Sequence, residues 1–585
     1  MIKRNIIIPV LIIISFVPAN AQVKKQDTGM KREVTLYNPY KPSLPDSRKK
    51  NFLPDLNDTT KIKPSFRYDV KTTPFLPEYT ISPIKAAALL SDPLPKLYKS
   101  YINIGLGNYL TPLAELSITN ERSKKGSIGF YGRHYSTNGK VELDNGKKAF
   151  AGYMDNDASL FGRRFFRKSV FEGSIDYTEK SRYAYGYSPF VSDYSPAKKD
   201  IRLTYNNIGA KTSLSSLNLD STEFSYDFNL AFNYFTSASA YSSANMFQRS
   251  LSFSGMMSKS YNGFYVGSGL SFDHYRVPDF LIPTAKYVAA VTPFLKKSSD
   301  EWAFKLGLQL VLDKDMDAFT TLHIYPDINF SFNLVPSYIS FFAALSGKLE
   351  KNEPLKVISE NPFIIGDGSL YKVPNTSQNL IILAGLKGNT GIGGTYMISG
   401  SYSLISDMLF YTNSLRLDSV PKRLGNYFSP VTDDVELLNI HAEMGGPIND
   451  KFSFNGAANI YNYSLTKLDY AWNKSNWDGK LGLKYNLRDK IIAGIEITAQ
   501  GKRHMLINGD LPIPVPTIKV PVVVNPRMPS TMPAHFNLNL SAEYRYSKIL
   551  SFWGKLNNIA NNHYYEWVYY PSLGFQFMLG FTYSL

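Results

Sequence analysis

Cysteine is absent from all 585 residues. Its absence excludes disulfides, thiolate metal ligands, a cysteine nucleophile and a lipidated N-terminal cysteine, and it suits a bacterial envelope protein that does without bridges. Long hydrophobic runs are missing too. The apolar stretch Ile6 to Val17 falls short of the roughly 20 residues a spanning helix needs, and no later run approaches that length. The net charge is +16, yet Lys and Arg scatter among turns and polar positions instead of forming a patch, which argues against a nucleic-acid partner. Metal-ligand spacing is lacking as well: His134, His274, His323, His441, His504, His535 and His563 stand apart. With no Ser-His or Asp-His constellation to single out, neither a cofactor nor an enzyme is expected.

What is present begins with a leader. Lys3 and Arg4 precede the apolar run, and Ala19-Asn20-Ala21 before Gln22 forms an A-x-A cleavage site, so residues 1–21 read as a secretory signal peptide. Loss of Lys3 and Arg4 with it lowers the net charge to +14. Residues 22–98 carry ten prolines in 77 residues, too many for either ladder or helix. They are expected to form an extended periplasmic segment that docks envelope partners, with a helical turn only at Ile84 to Leu90.

From residue 99 to 585 the pattern is period-2 alternation. Phe224, Tyr226, Phe228, Leu230, Phe232 and Tyr234 oppose Glu223, Ser225, Asp227, Asn229 and Asn233, and Leu322, Ile324, Ile328, Phe330, Phe332 and Leu334 oppose His323, Asp327, Asn329, Ser331 and Asn333. The sets starting at Trp302 and Phe536 repeat this over lengths that cross a bilayer as tilted strands. Counting gives 22 strands, within a range of 20–22, the least regular near 151–165, 201–214 and 285–297. Backbone groups left unpaired in lipid are too costly, so such strands must close. The fold class is therefore all-β, a transmembrane antiparallel β-barrel.

Connection lengths sort by parity. Tight turns fall at Phe166-Arg167, Pro336, Asp489 and Ser547-Lys548, and loose connections at 181–200, 350–378, 412–434, 464–476 and 504–534. This places the long loops outside a Gram-negative outer membrane and both termini in the periplasm. The loop from Leu511 to Pro533, with seven prolines, reads as a stiff polyproline-like arm, and Ile365 to Pro374 as a plain turn.

The chain ends on "GFQFMLGFTYSL". Phe575, Phe577, Leu579, Phe581, Tyr583 and Leu585 form one apolar face, expected toward lipid, while Gln576, Thr582 and Ser584 face the lumen. Closure requires this strand to pair with the one around Tyr101 to Ile104. The alternating strand also resembles the signal by which outer-membrane barrels are handed to their assembly machinery, here ending in Leu585 instead of the commoner Phe.

"LNNIANNHYYEW", Leu556 to Trp567, followed by the terminal strand, resembles the closing strands of TonB-dependent outer-membrane receptors, especially those of Bacteroidetes-type bacteria. "VPNTSQNLIILAGLKG", Val373 to Gly388, is similar to their mid-barrel strand. The resemblance implies a 22-strand barrel and a transport or receptor role. It also implies a plug domain of well over a hundred residues before the barrel, which the 77 residues from Gln22 cannot supply. Because an open barrel of this size would leak, the N-terminal segment, the long loops or a partner must fill it. Two functions follow: solute passage or uptake across the outer membrane, and a scaffold subunit of an envelope machine for barrel assembly or surface-protein export. Lipid and lipopolysaccharide, the assembly machinery, and periplasmic or outer-membrane proteins are the expected partners.

Overall fold

The computed structural model describes residues 98–585, less all or part of the loop segments 121–124, 144–145, 187–196, 218–222, 240–241, 278–283, 315–319, 365–372, 392, 416–425, 510 and 514–527. The leader with Ala19, Ala21 and Gln22, the Pro-rich stretch and Ile84 to Leu90 lie outside the described residues.

Every expected strand segment is present, the irregular ones as Tyr153–Phe165, Arg202–Ser216 and Thr284–Ser298. Each strand pairs antiparallel with its sequence neighbour, and the first, Ser100–Gly107, pairs with the last, Gln576–Ser584, to close a 22-strand barrel. The sheet holds 24 strands because a hairpin, Arg503–Gly509 with Met528–Met532, joins it by a parallel pairing of Ile507 to Gly509 with Asn413 to Leu415. At the seam Tyr101 faces Ser584 and Ile104 faces Phe581, as closure demands.

Alternation sets the two faces. Leu230, Leu306, Ile324, Phe330, Phe536 and Leu579 are exposed outward, an apolar belt of the kind that meets lipid. Inward, polar side chains lie in cross-strand register. Asn103 donates to Glu115 (2.8 Å), Arg133 pairs with Glu115 (3.2 Å) and stands 3.7 Å from Asp157, and Thr178 donates to Asp157 (3.1 Å). Opposite charges one strand apart satisfy one another, so this part of the wall presents a hydrogen-bonded girdle.

Strand lengths are uneven. Four strands around the seam have 8 or 9 residues, whereas Thr395–Leu415 has 21 and Asn426–Pro447 has 22. The loop expected over 412–434 is thus mostly strand: the pair continues past the barrel through a bulge between Ile405 and Met408. The extension persists because both its faces are covered. Leu409 and Tyr411 pack in one core, while Phe410 joins Trp472, Val435 and Leu506 in a second.

Asp433, 1% exposed, ties the loop after Phe452–Leu465 to this extension: its carboxylate accepts the backbone N–H groups of Thr466, Lys467 and Leu468 at 2.9 to 3.2 Å. Hydrogen bonds to a charged acceptor are worth about 1.5–3 kcal/mol each. Asp433→Ala should therefore speed amide exchange at 466–468 by on the order of a hundredfold, read by mass spectrometry, with the barrel strands unchanged.

Candidate functional site

At the long-loop end two connections fold into the barrel. The larger, residues 351–375, carries a helix, α1 (Pro354–Glu360), in a region expected to be loop. Pro354 at the first helical position pre-sets the backbone, and Val357 and Ile358 give the turn one apolar side, both fully buried. The second, residues 558–575, lies between Leu550–Asn557 and the terminal strand and holds the short ribbon Tyr565–Trp567 with Tyr570–Pro571.

The inserts meet each other and the wall in a single core. Phe363 stacks on Tyr570 with centroids 3.7 Å apart, Phe428 and Tyr411 present edges to Trp567, and Tyr185 packs against Phe363 and Tyr570. Leu203, Tyr205, Phe235 and Met246 complete it from the wall. Here the inward face changes character: Asn207 and Asn233 point inward lower down, and Tyr205 and Phe235 do so where the inserts dock. Of the stretch Ile365 to Pro374, expected as a plain turn, the described Leu370 and Val373 are core residues.

Polar latches add direction. The buried Gln248 accepts the N–H of Leu355 (3.1 Å), capping α1 from the wall where Glu353 makes no side-chain cap, and donates to Glu353 (2.7 Å). Tyr205 donates to the Pro362 carbonyl and Tyr411 to Glu360 (2.7 Å). Asn375 is held between Tyr275 (3.2 Å) and Asp313 (3.0 Å). For the second insert, Arg503 donates to the carbonyls of Glu566 (2.8 Å) and Tyr565 (2.6 Å), and Asn426 donates to that of Val568 (3.2 Å). Tyr185 reaches the Pro571 carbonyl (2.9 Å). Gly186 has no space for a side chain, because a Cβ would run into Tyr570 and the Asn426 amide.

Burial holds the Glu353 carboxyl above its ordinary value of 4.5 even though Lys351, Lys356 and Gln248 oppose the shift, and Asp273 adds to it. A docked acid with a raised pKa stabilises the docked state fully below 4.5, and the contribution is lost as pH rises through the raised value. Protection of α1 amides from exchange should consequently increase as pH falls through that window. Glu353→Gln should flatten the dependence, after correction for intrinsic exchange.

Beneath the inserts lies a recess of about 540 Å³ against the wall. Tyr135, Tyr153, Tyr564 and Trp567 line it with Glu360 and Glu566, and its Arg182 is committed to Asp155 (2.7 Å). Aromatic faces with amide and carboxylate edges suit capture of a polar solute. Of the sequence-derived residues, Phe577, Leu579, Phe581 and Leu585 are exposed on the outer face, and none of them lines this recess. His134 bonds to Asn156 (2.6 Å) and His441 to Asn459 (2.8 Å), and among the described residues no three His, Asp or Glu side chains group as metal ligands do. The proline-rich loop contributes the hairpin and a small ribbon, Leu511–Ile513 with Val522–Val524, in place of a continuous polyproline arm.

No protein-family model matches the sequence, and no curated protein does. Solved structures do. The FrpB iron transporter from Neisseria meningitidis superposes with a TM-score of 0.61 at 10% identity, over 84% of this chain and 83% of that one. The pyoverdine outer membrane receptor FpvA from Pseudomonas aeruginosa PAO1 gives 0.59 at 10% identity over 84% and 79%. The copper transporter OprC gives 0.58 at 12% identity over 84% and 81%. At these identities the likeness is one of fold, and it agrees with the resemblance of the closing strands: the chain has the 22-strand barrel of outer-membrane transporters and receptors.

Proposed function

We propose that this chain is a gated conduit of the outer membrane, acting in passage or uptake of a polar solute. The observation that carries the reading is the mouth: two loops fold inward and are fastened to the wall by side-chain hydrogen bonds over a polar, aromatic-lined recess. A scaffold needs a wall and partners, but has no use for a latched mouth. The transporters and receptors that share the fold support the same class.

On this reading residues 1–21 are a leader removed after Ala21, residues 22–98 are periplasmic, and the long loops face outward. Phe575, Phe577, Leu579, Phe581, Tyr583 and Leu585 present the chain to the assembly machinery. The protein meets lipid along its belt and performs no chemistry on its passenger. Deleting the gene from its parent bacterium and measuring uptake of a panel of sugars, peptides and metal chelates tests the proposal. Loss confined to one solute class, restored by the intact chain, is expected; an unchanged profile across the panel would sink it.

A further inference from the structure

The seam is the lowest part of the wall. Its first strand has 8 residues and its last 9. At about 3.4 Å per residue and a tilt near 40°, 8 residues rise roughly 20 Å, less than the apolar band of about 25 Å that barrels present. Leu110, in the turn that ends the first strand, is 71% exposed, and Leu579 across the seam 62%. The seam strands are therefore shorter than that band, and among the described residues their outer faces stay open.

On the inner side it has a fastening. Trp553, Gly580 and Gly105 occupy one cross-strand row over three adjacent strands. The Trp553 indole lies across both glycines: a Cβ at Gly105 would come within 2.6 Å of the ring, and one at Gly580 closer still. Its Nε1–H reaches past them to donate to Asn103 Oδ1 (2.8 Å), and Asn103 is itself held by Glu115. Glycine inside a strand weakens the ladder, so two of them side by side at the closing pair make sense as a seat for this ring. The indole joins the penultimate barrel strand to the first by one hydrogen bond and a flat contact, both of which a rotamer change would undo. Asn557 and Gln576, at the mouth-side ends of the strands it spans, line the recess beneath the inserts.

We infer that the junction of Ser100–Gly107 with Gln576–Ser584 is a lateral joint of the barrel, bolted from the lumen by Trp553. With the indole seated the joint is closed. With it turned away, only the short ladder and the Asn108 side chain, which donates to the Phe575 carbonyl (2.9 Å) and accepts the Phe577 N–H (3.1 Å), hold the wall, and the recess gains a side opening toward the lipid.

The test is amide exchange of the full-length protein in phosphatidylethanolamine and phosphatidylglycerol vesicles, comparing the seam strands with Trp302–Lys314 on the wall. Trp553→Ala should accelerate exchange in Ser100–Gly107 and Gln576–Ser584 by on the order of a hundredfold and leave the reference strand unchanged. Trp553→Phe keeps a ring on the glycines, loses the donor, and should accelerate it about tenfold. Since the chain has no cysteine, Leu106→Cys with Leu579→Cys, direct register partners, can be oxidised to clamp the joint, and the clamp should restore protection in Trp553→Ala. Unchanged seam exchange in both variants, or acceleration shared by the reference strand and not reversed by the clamp, would overturn the joint. Should Trp553→Ala fail to assemble, the Trp553→Phe comparison decides on the same terms.

Discussion

Excision of residues 354–372, bridged by a short Gly-Ser linker, is expected to raise single-channel conductance in planar bilayers by about tenfold over the intact chain, because a 22-strand barrel relieved of the larger of its two inserts offers a wide aqueous path. The excised segment supplies α1 and five core side chains, Val357, Ile358, Phe363, Ile364 and Leu370, and it is the partner on which Tyr570 stacks. Its removal also strands Gln248 without the helix end it caps, and Tyr205 without the Pro362 carbonyl. The strands that carry those side chains remain paired to their neighbours, so the barrel should keep its heat-modifiable migration on gels. Phe363→Ala together with Tyr570→Ala breaks only the meeting point and should give an intermediate increase with frequent reclosure. Identical conductance in the excised and intact proteins, both correctly folded, would show that the inserts do not limit passage.

The reason this mouth could not be foreseen in full lies in how the two faces are written. Along most strands, alternation separates lipid from lumen, and the pairing of Tyr101 to Ile104 with the terminal strand follows from it. Alternation has no term for what stands inside the lumen. The signal that was available is its breakdown: Tyr234 and Phe235 are adjacent aromatics, one on each face, and Leu409, Phe410 and Tyr411 are three in a row, all buried. Such runs mark heights at which both faces are covered, one by the inserts and the other by the loop bearing Trp472. Read that way, 412–415 belongs to a strand and not to the loop expected over 412–434. Helix α1 was masked by its shortness, since 7 residues give scarcely two turns of periodicity, although Pro354 followed by Val357 and Ile358 is a start signal.

Trp553 was less legible still. In sequence it is an aromatic at a polar-phase position of the strand Leu550–Asn557, with Phe552 beside it on the lipid face. Only the register shows that Gly580 and Gly105 fall in its row. Glycines scattered across more than four hundred residues carry no sign that they form one groove, so a sequence pattern limited to neighbours within a strand misses such a seat.

The terminal strand gives the second large effect. Lys in place of Phe577 and Phe581 together puts two charges on the outer face, each two residues from Leu579 at the strand centre. A Lys at mid-bilayer costs about 2–4 kcal/mol and less toward the interfaces, so the pair should cost about 4 kcal/mol. That is a large share of a barrel's margin, and loss of folded protein from the outer membrane is expected. Thr582→Lys points into the lumen beside Asn103 and Ser551 and should leave the folded yield nearly unchanged. If the double Lys variant accumulates folded in the outer membrane at wild-type level, the outward assignment of this face is wrong. Leu585→Ala separates delivery from stability. Its backbone N–H and carbonyl both pair with Ser100 and survive the change, so the folded barrel should lose little. If the terminal apolar set presents the chain to the assembly machinery, the amount reaching the membrane should fall several-fold while the thermal transition of what arrives stays in place.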